Sequence, residues 1–467
     1  MFCRVLFVAN ILLNCYLYIC LYVTDRFGKS LQNQLQPLYQ NVSSQGTRSS
    51  NENLSSSTIE LFVFELYSLY TDAFQNYSIY EQEQLTNALD AIQLDTSDTS
   101  SGIQLLMSSI SNVFSLANES IDRCKQLTNG QTIISLLSVL QKFFTAYIGE
   151  LKRVVNNIRE RNSKILGTED WELFQQTIQK KKKISIFFNR IKKTTGELIL
   201  AYEQFESSLA QQMLQMINEW PNKPNKHKQH HDIFDLAIES FINKTSSSDK
   251  HDFVSITNAL ENATYSLFPD IPKLLSKFSD ECHQFSFDVV FLPIHTLLNG
   301  FSKLPIWASE SRSTIVSDLP SFSLVPQENI TKIGQYLLML PQHFEPFNLH
   351  DNRQLGIAFK KGKLPYLEDK ESYNDLTSCW LDSIALATMR LCIEQTLKIS
   401  TLTSTGLKQL IMDLQYLYSV LEDFGLKDVV DFRDMIELLN TDEETFEELA
   451  RHKPARMVTA IRTMRHL

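Results

Sequence analysis

Three small groups of residues in this chain have types that could do chemistry. Gly28-Lys29-Ser30 has the ending of a phosphate-binding loop, in which backbone N–H groups and a lysine cradle a polyphosphate. That loop needs a glycine five residues earlier, where Val23 stands, and no strand pattern precedes it. His227, His230 and His231 could ligate a metal, but they sit in a Lys-rich polar tract without carboxylates or thiolates at ligand spacing. Cys282-His283 are chain neighbours, a placement that gives no useful nucleophile–base hydrogen bond, so both read as core. The paired carboxylates Glu443-Glu444 and Glu447-Glu448 read as a solvated helix face. Motifs of the HExxH, GxSxG and GxGxxG kind do not occur. The expectation is a protein that is not an enzyme, with no cofactor, no metal and no small-molecule substrate.

The seven cysteines are odd in number, scattered, and never spaced as CxxC. They read as reduced and mostly buried thiols, not as a disulfide frame or zinc site. Seven Asn-x-Ser/Thr sequons begin at Asn41, Asn53, Asn76, Asn118, Asn243, Asn262 and Asn329. They would suit a glycosylated ectodomain, although a chain this rich in Asn, Ser and Thr produces several by chance.

One run invites a membrane reading. Lys180, Lys181, Lys182, Lys183, Arg190, Lys192 and Lys193 surround Ile184, Ile186, Phe187, Phe188 and Ile191, with no acidic residue between them. A basic amphipathic helix of that kind could lie on anionic lipid, gaining about 1 kcal/mol per cation near the surface. It could equally be a solvated loop. Val5–Val23 is apolar over 19 residues, long enough to span about 30 Å of hydrocarbon as a helix. It reads either as a signal anchor or as sequence foreign to the folded protein.

Such residues would have to be positioned by helices. Gly and Pro each occur 13 times in 467 residues, about 3%, against a usual level of roughly 7% and 5%. Sandwiches, barrels and Gly-rich nucleotide folds need many special turns, so this scarcity argues against them. The net charge is −10 and the pI about 5.6, which provide no bulk attraction for nucleic acid.

No proline lies between Pro37 and Pro221. Within that stretch Ile133, Leu137, Leu140, Phe144, Tyr147, Leu151, Val154 and Ile158 alternate spacings of four and three, a heptad seam. The seam predicts a long helix whose stripe packs either in an intramolecular bundle core or on a partner as a coiled coil. Leu407, Leu410, Leu414, Leu417, Leu421 and Phe424 predict another helix, stopped at Gly425. Thr441 and Glu444 read as a T-x-x-E capping box opening a short helix through Leu449. After Pro454, Met457, Ile461 and Met464 share one face. The segments so drawn are 1–60 (apolar start and polar linker), 61–221 (long-helix bundle), 222–250 (polar linker), 251–376 (shorter helices punctuated by proline) and 377–467 (C-terminal bundle).

Several short stretches then carry a resemblance. They are Phe114-Ser-Leu-Ala117, Ile121-Asp-Arg-Cys124, Thr128-Asn-Gly130, Glu169-Asp-Trp171, Gly196-Glu-Leu198, Leu319–Pro326, Ile333–Pro341, Glu345-Pro-Phe347, Gly362–Pro365, Trp380–Ala385, Ala387-Thr-Met389 and Thr463-Met-Arg465. Their colinear order, from about Leu61 onward, resembles the family of subunit seven of the conserved oligomeric Golgi (COG) tethering complex, in its C-terminal part. The resemblance implies an all-α, elongated helical-bundle rod of the exocyst type. It implies a peripheral protein on the cytosolic face of the Golgi, acting in retrograde vesicle tethering and in retention of glycosylation enzymes. The partners implied are sister subunits, especially five, six and eight, with Golgi membrane and vesicle proteins met indirectly. Val5–Val23 and the Lys180–Lys193 run sit at breaks in the resemblance, and are read as gene-model artefacts that transcript sequencing tests. The rival reading is a membrane-anchored secretory-pathway protein with a glycosylated helical ectodomain.

Overall fold

The computed structural model describes residues 76–92, 94, 99–128, 130, 132–166, 182–219, 256, 266–308, 325–344, 353–367, 376–423 and 430–467, with isolated positions 26, 27, 30 and 65. Among the described residues there are α-helices and two 3-10 turns, and no strand. The all-α expectation is borne out. The chain divides into two compact units, 1–154 with 197–275, and 155–196 with 276–467.

The first unit contains α1 (Tyr77–Asp90), α2 (Thr99–Thr128), the N-terminal part of α3 (Ile133–Leu166) and the C-terminal part of α4 (Lys182–Glu219). In α2, Leu106, Ile110, Val113, Ala117, Ile121 and Cys124 recur at helical spacing, and all are buried. An aromatic cluster joins the helices: the Phe144 ring lies 5.3 Å from Phe114, 5.2 Å from Phe205 and 6.1 Å from Phe268. Tilted and edge-on pairs of this kind add about 0.5–1.5 kcal/mol beyond burial. Gly130, at φ +77°, makes the left-handed turn between α2 and α3 that a side chain would strain. A Cβ there would also lie 2.7 Å from the sulfur of Met216.

The chain entering α5 (Ile271–Leu298) is held by one carboxylate. Glu206 Oε1 accepts from the Ser266 hydroxyl at 2.7 Å and from the Leu267 N–H at 2.8 Å. Tyr202, one turn away, donates to the Phe268 carbonyl at 3.5 Å. Glu206→Ala leaves those donors without their ionic acceptor. The expected outcome is a loss of about 2 kcal/mol, read as a lower urea midpoint, with Glu206→Gln recovering part of it.

The second unit contains the rest of α5, the turns at Phe301–Lys303 and Pro305–Trp307, and the helices α6 (Glu328–Phe344), α7 (Arg353–Lys361), α8 (Leu376–Thr396), α9 (Ser404–Asp423), α10 (Val430–Asn440), α11 (Glu443–Ala450) and α12 (Ala455–Arg465). Central to it is α9, which meets α6, α10 and the Pro305–Trp307 turn. Its predicted stripe faces inward: Leu410, Leu414, Leu417 and Leu421 are buried and Leu407 half-buried, while Phe424 and Gly425 lie outside the described residues. Thr403 caps α9, its hydroxyl accepting from the Gly406 N–H at 3.1 Å while its own N–H donates to the Trp307 carbonyl at 2.9 Å. A Cβ on Gly406 would sit 2.6 Å from that same carbonyl oxygen, so glycine lets the turn lie against the helix.

Pro293 and Pro341 lie inside α5 and α6, which run for 28 and 17 residues. Proline forfeits one backbone hydrogen bond, but Ile294 and Leu298 beyond it are fully buried, and that burial outweighs the loss. The helix 443–450 is present, yet Thr441 does not cap it. Its hydroxyl turns back to the Glu437 carbonyl at 2.6 Å, closing α10, and Asp442 occupies the N-cap position with no side-chain hydrogen bond. A threonine between two helices can serve either, and here the preceding carbonyl wins.

Candidate protein-interaction site

The eight seam residues lie along α3. Ile133, Leu137, Leu140, Phe144, Tyr147, Leu151, Val154 and Ile158 are all buried, with Tyr147 sharing a 2.7 Å hydrogen bond with Ser109 of α2. This helix is also long and apolar enough to cross a membrane by length and composition. A stripe that is buried inside the protein meets the same test. Of the basic run, Lys180 and Lys181 lie outside the described residues. Lys182, Lys183, Arg190 and Lys192 fall in the opening turns of α4, where no side chain is described, and Lys193 is half-buried. Val5–Val23 and the histidines at 227, 230 and 231 also lie outside the described residues.

The reactive residue types are put to structural use. Cys124, Cys282, Cys379 and Cys392 are free and buried, and burial pushes the Cys392 thiol up to about 12. A thiol so raised is a poor nucleophile. His283 lies between the Phe359 and Trp380 rings, at centroid distances of 6.3 and 6.0 Å. Among the described residues no group of three His, Cys, Asp or Glu side chains could hold a metal ion.

One polar centre was not legible in the sequence. Asp413 is fully buried in the apolar stripe of α9. Its Oδ1 accepts from the Gln327 N–H at 2.7 Å and from Gln409 Nε2 at 3.0 Å, while Oδ2 accepts from Gln327 Nε2 at 2.6 Å. Gln409 also donates to the Val325 carbonyl at 2.9 Å. The carboxylate therefore holds residues 325–327 and the first turn of α6. Burial raises the Asp413 carboxyl above its ordinary range, opposed by the hydrogen bonds from Gln327 and Gln409. An Asp at this spacing reads as solvent-facing, and the only available signal was its position among the leucines.

With its interior closed, the second unit offers outward faces. On α6, Ile330, Ile333, Leu337 and Leu340 point into the core, whereas Leu338 and Met339 stand 49% and 38% exposed beside exposed Pro341. Such apolar residues on an outer helix face can meet a partner helix.

A protein-family model described as Golgi complex component 7 (COG7) matches residues 15–466. The chain belongs to this family. The match begins well before Leu61, so the resemblance expected only from there extends into the first 60 residues. Similar proteins are named conserved oligomeric Golgi complex subunit 7 in three distant organisms. The Homo sapiens relative is 28% identical over 441 residues, covering 86% of this chain and 55% of the relative. The Drosophila melanogaster relative is 26% identical, covering 87% and 52%, and the Arabidopsis thaliana relative 21%, covering 77% and 47%. The chain thus spans about half the length of these relatives.

The COG7-like stretches coincide with helix contacts. Phe114, Ala117, Ile121, Cys124, Ile333, Leu337, Leu340, Trp380, Ala385, Ala387 and Met464 are core residues. Arg123 of Ile121–Cys124 forks onto the buried Glu81 carboxylate. Gly362 comes so close to α5 that a Cβ would overlap the His283 ring and lie 2.5 Å from the Ser279 hydroxyl. Glu169–Trp171, 319–324 and 345–347 lie outside the described residues.

Proposed function

We propose that this chain works as a non-catalytic subunit of the conserved oligomeric Golgi tethering complex, in retrograde intra-Golgi vesicle capture. Retention of glycosylation enzymes follows from that capture. The chain sits peripherally on the cytosolic face, assembled with sister subunits, five, six and eight foremost. The family match over residues 15–466 carries this reading. The reduced, buried thiols of Cys124, Cys282, Cys379 and Cys392 support a cytosolic setting. The α3 seam serves the fold, and outward faces such as Leu338–Met339 serve assembly, across successive helical segments 61–221, 251–376 and 377–467. Tethering needs reach and specific surfaces, which helices supply without an active site.

Affinity purification of the tagged chain tests this. Recovery of the sister subunits, lost or weakened in Leu338→Glu/Met339→Glu, is the expected result. Recovery of none, together with a mobility shift on glycosidase treatment, overturns it in favour of the lumenal ectodomain. The sequon Asn118 argues against that outcome, since its amide donates to the Phe114 carbonyl at 2.9 Å within α2.

A further inference from the structure

The C-terminal end of the second unit carries a groove of about 470 Å³. One wall is α12, through Ala455, Thr459, Ala460 and Thr463; the other is the α8–α9 connection, through Leu397 and Ile399. The walls are tied together, because the Leu402 N–H donates to the Met464 carbonyl at 2.8 Å. The lining is apolar and small, and Ala455, Thr459 and Thr463 recur every four residues, so a partner backbone can approach closely.

Charge identifies the occupant. Residues 451–467 carry five Lys and Arg and no Asp or Glu, in a chain of net charge −10. Lys453 is committed to Asp434 and Glu437, Arg462 to Glu447, and Arg465 to the Leu438 carbonyl. Arg456, which lines the groove, and Lys398, between the two residues of the opposite wall, are exposed and have no ion pair among the described residues. The first turn of α12 holds no acidic side chain and its N-cap makes no side-chain hydrogen bond, which leaves the positive helix end uncompensated.

We propose that this groove docks an amphipathic helix of another protein, its apolar face inward and Asp or Glu residues along its flank. Among the described residues no strand edge lies at the groove, so main-chain pairing with an extended peptide has nothing to build on, whereas a helix needs only the apolar floor and the charged rim. A second copy docked groove to groove would bring like charges together. The surface is distinct from the Leu338–Met339 face, and its test is read without reference to which complex the chain enters.

The test is fluorescence polarisation of the purified full chain against a labelled synthetic helix with Leu on one face and Glu on its flanks. A companion peptide carries Lys in place of Glu. The expected result is binding of the Glu peptide that weakens as salt rises, and no binding of the Lys peptide. Lys398→Glu/Arg456→Glu, at exposed positions, should lower affinity for the Glu peptide about tenfold or more and create binding of the Lys peptide. Circular dichroism confirms that the variant folds. Equal binding of both peptides, no effect of the charge reversal, reversal-sensitive self-association in sedimentation, or reversal-sensitive binding to phosphatidylserine vesicles in place of the peptide would each overturn the proposal.

Discussion

Gly196→Ala should destabilise the second unit by about 3 kcal/mol or more, although a single methyl group is added. A Cβ at that position would overlap the Gln354 carbonyl oxygen and lie 2.5 Å from its carbon. Both obstacles are backbone atoms of α7, so no rotamer change relieves the overlap, and α4 and α7 must move apart. Moving α7 disturbs more than one contact. The helix is anchored where Ser279 donates to the Ala358 carbonyl at 2.8 Å and Ser276 to the Lys361 carbonyl at 2.9 Å. The control lies on the same helix: a Cβ on Gly356 meets nothing within 4 Å. Gly356→Ala should therefore stabilise by about 0.5–1 kcal/mol, the ordinary helix-propensity gain. Urea denaturation of the two variants checks the pair. Equal midpoints would show that α4 and α7 do not cross so closely.

Asp413→Ala is the second large loss, about 3–5 kcal/mol, because the Gln327 N–H and the amides of Gln327 and Gln409 lose their common acceptor in the interior. Asp413→Asn should be far milder, within about 1 kcal/mol at pH 7, once the Gln327 amide turns its oxygen toward the new donor. The pH dependence separates the two chemistries. Burial raises the folded carboxyl above its unfolded value, so between those two values the native state binds more proton than the unfolded chain. Stability from this group therefore increases as pH falls through the folded value and levels off below the unfolded one. Wild type minus Asp413→Asn should shift in favour of wild type on acidification. A difference that is flat with pH, or that shifts the other way, would mean the carboxylate is better stabilised than its burial implies.

Helical character and the stripes of α3, α9 and α12 were legible because a local period needs no knowledge of neighbours. An apolar residue every three or four positions is a face whatever it meets, and the shortage of Gly and Pro leaves little besides helix. The order of the short stretches likewise sufficed to point to the family. The same pattern could not say whether the α3 stripe met its own chain or another protein, since both would be Leu and Phe. Nor could it explain Gly196, Gly334 or Gly362. Their reason is a backbone or ring from a distant segment, as where a Cβ on Gly334 would meet the Tyr416 hydroxyl at 2.5 Å. Thr441 was misread because a hydroxyl between two helices can bond either way, and only the closed α10 turn settles the choice.

The sequence by itself thus determined that this protein is a set of helices, which residues line their stripes, and the family it resembles. Tertiary structure alone decided which polar residue the stripes enclose, where backbones touch, and which face of α6 is left to solvent. The physical reason is range: periodicity records interactions within a turn or two of helix, whereas Asp413 with Gln327, or Gly196 with Gln354, depend on segments that meet only once the chain has folded.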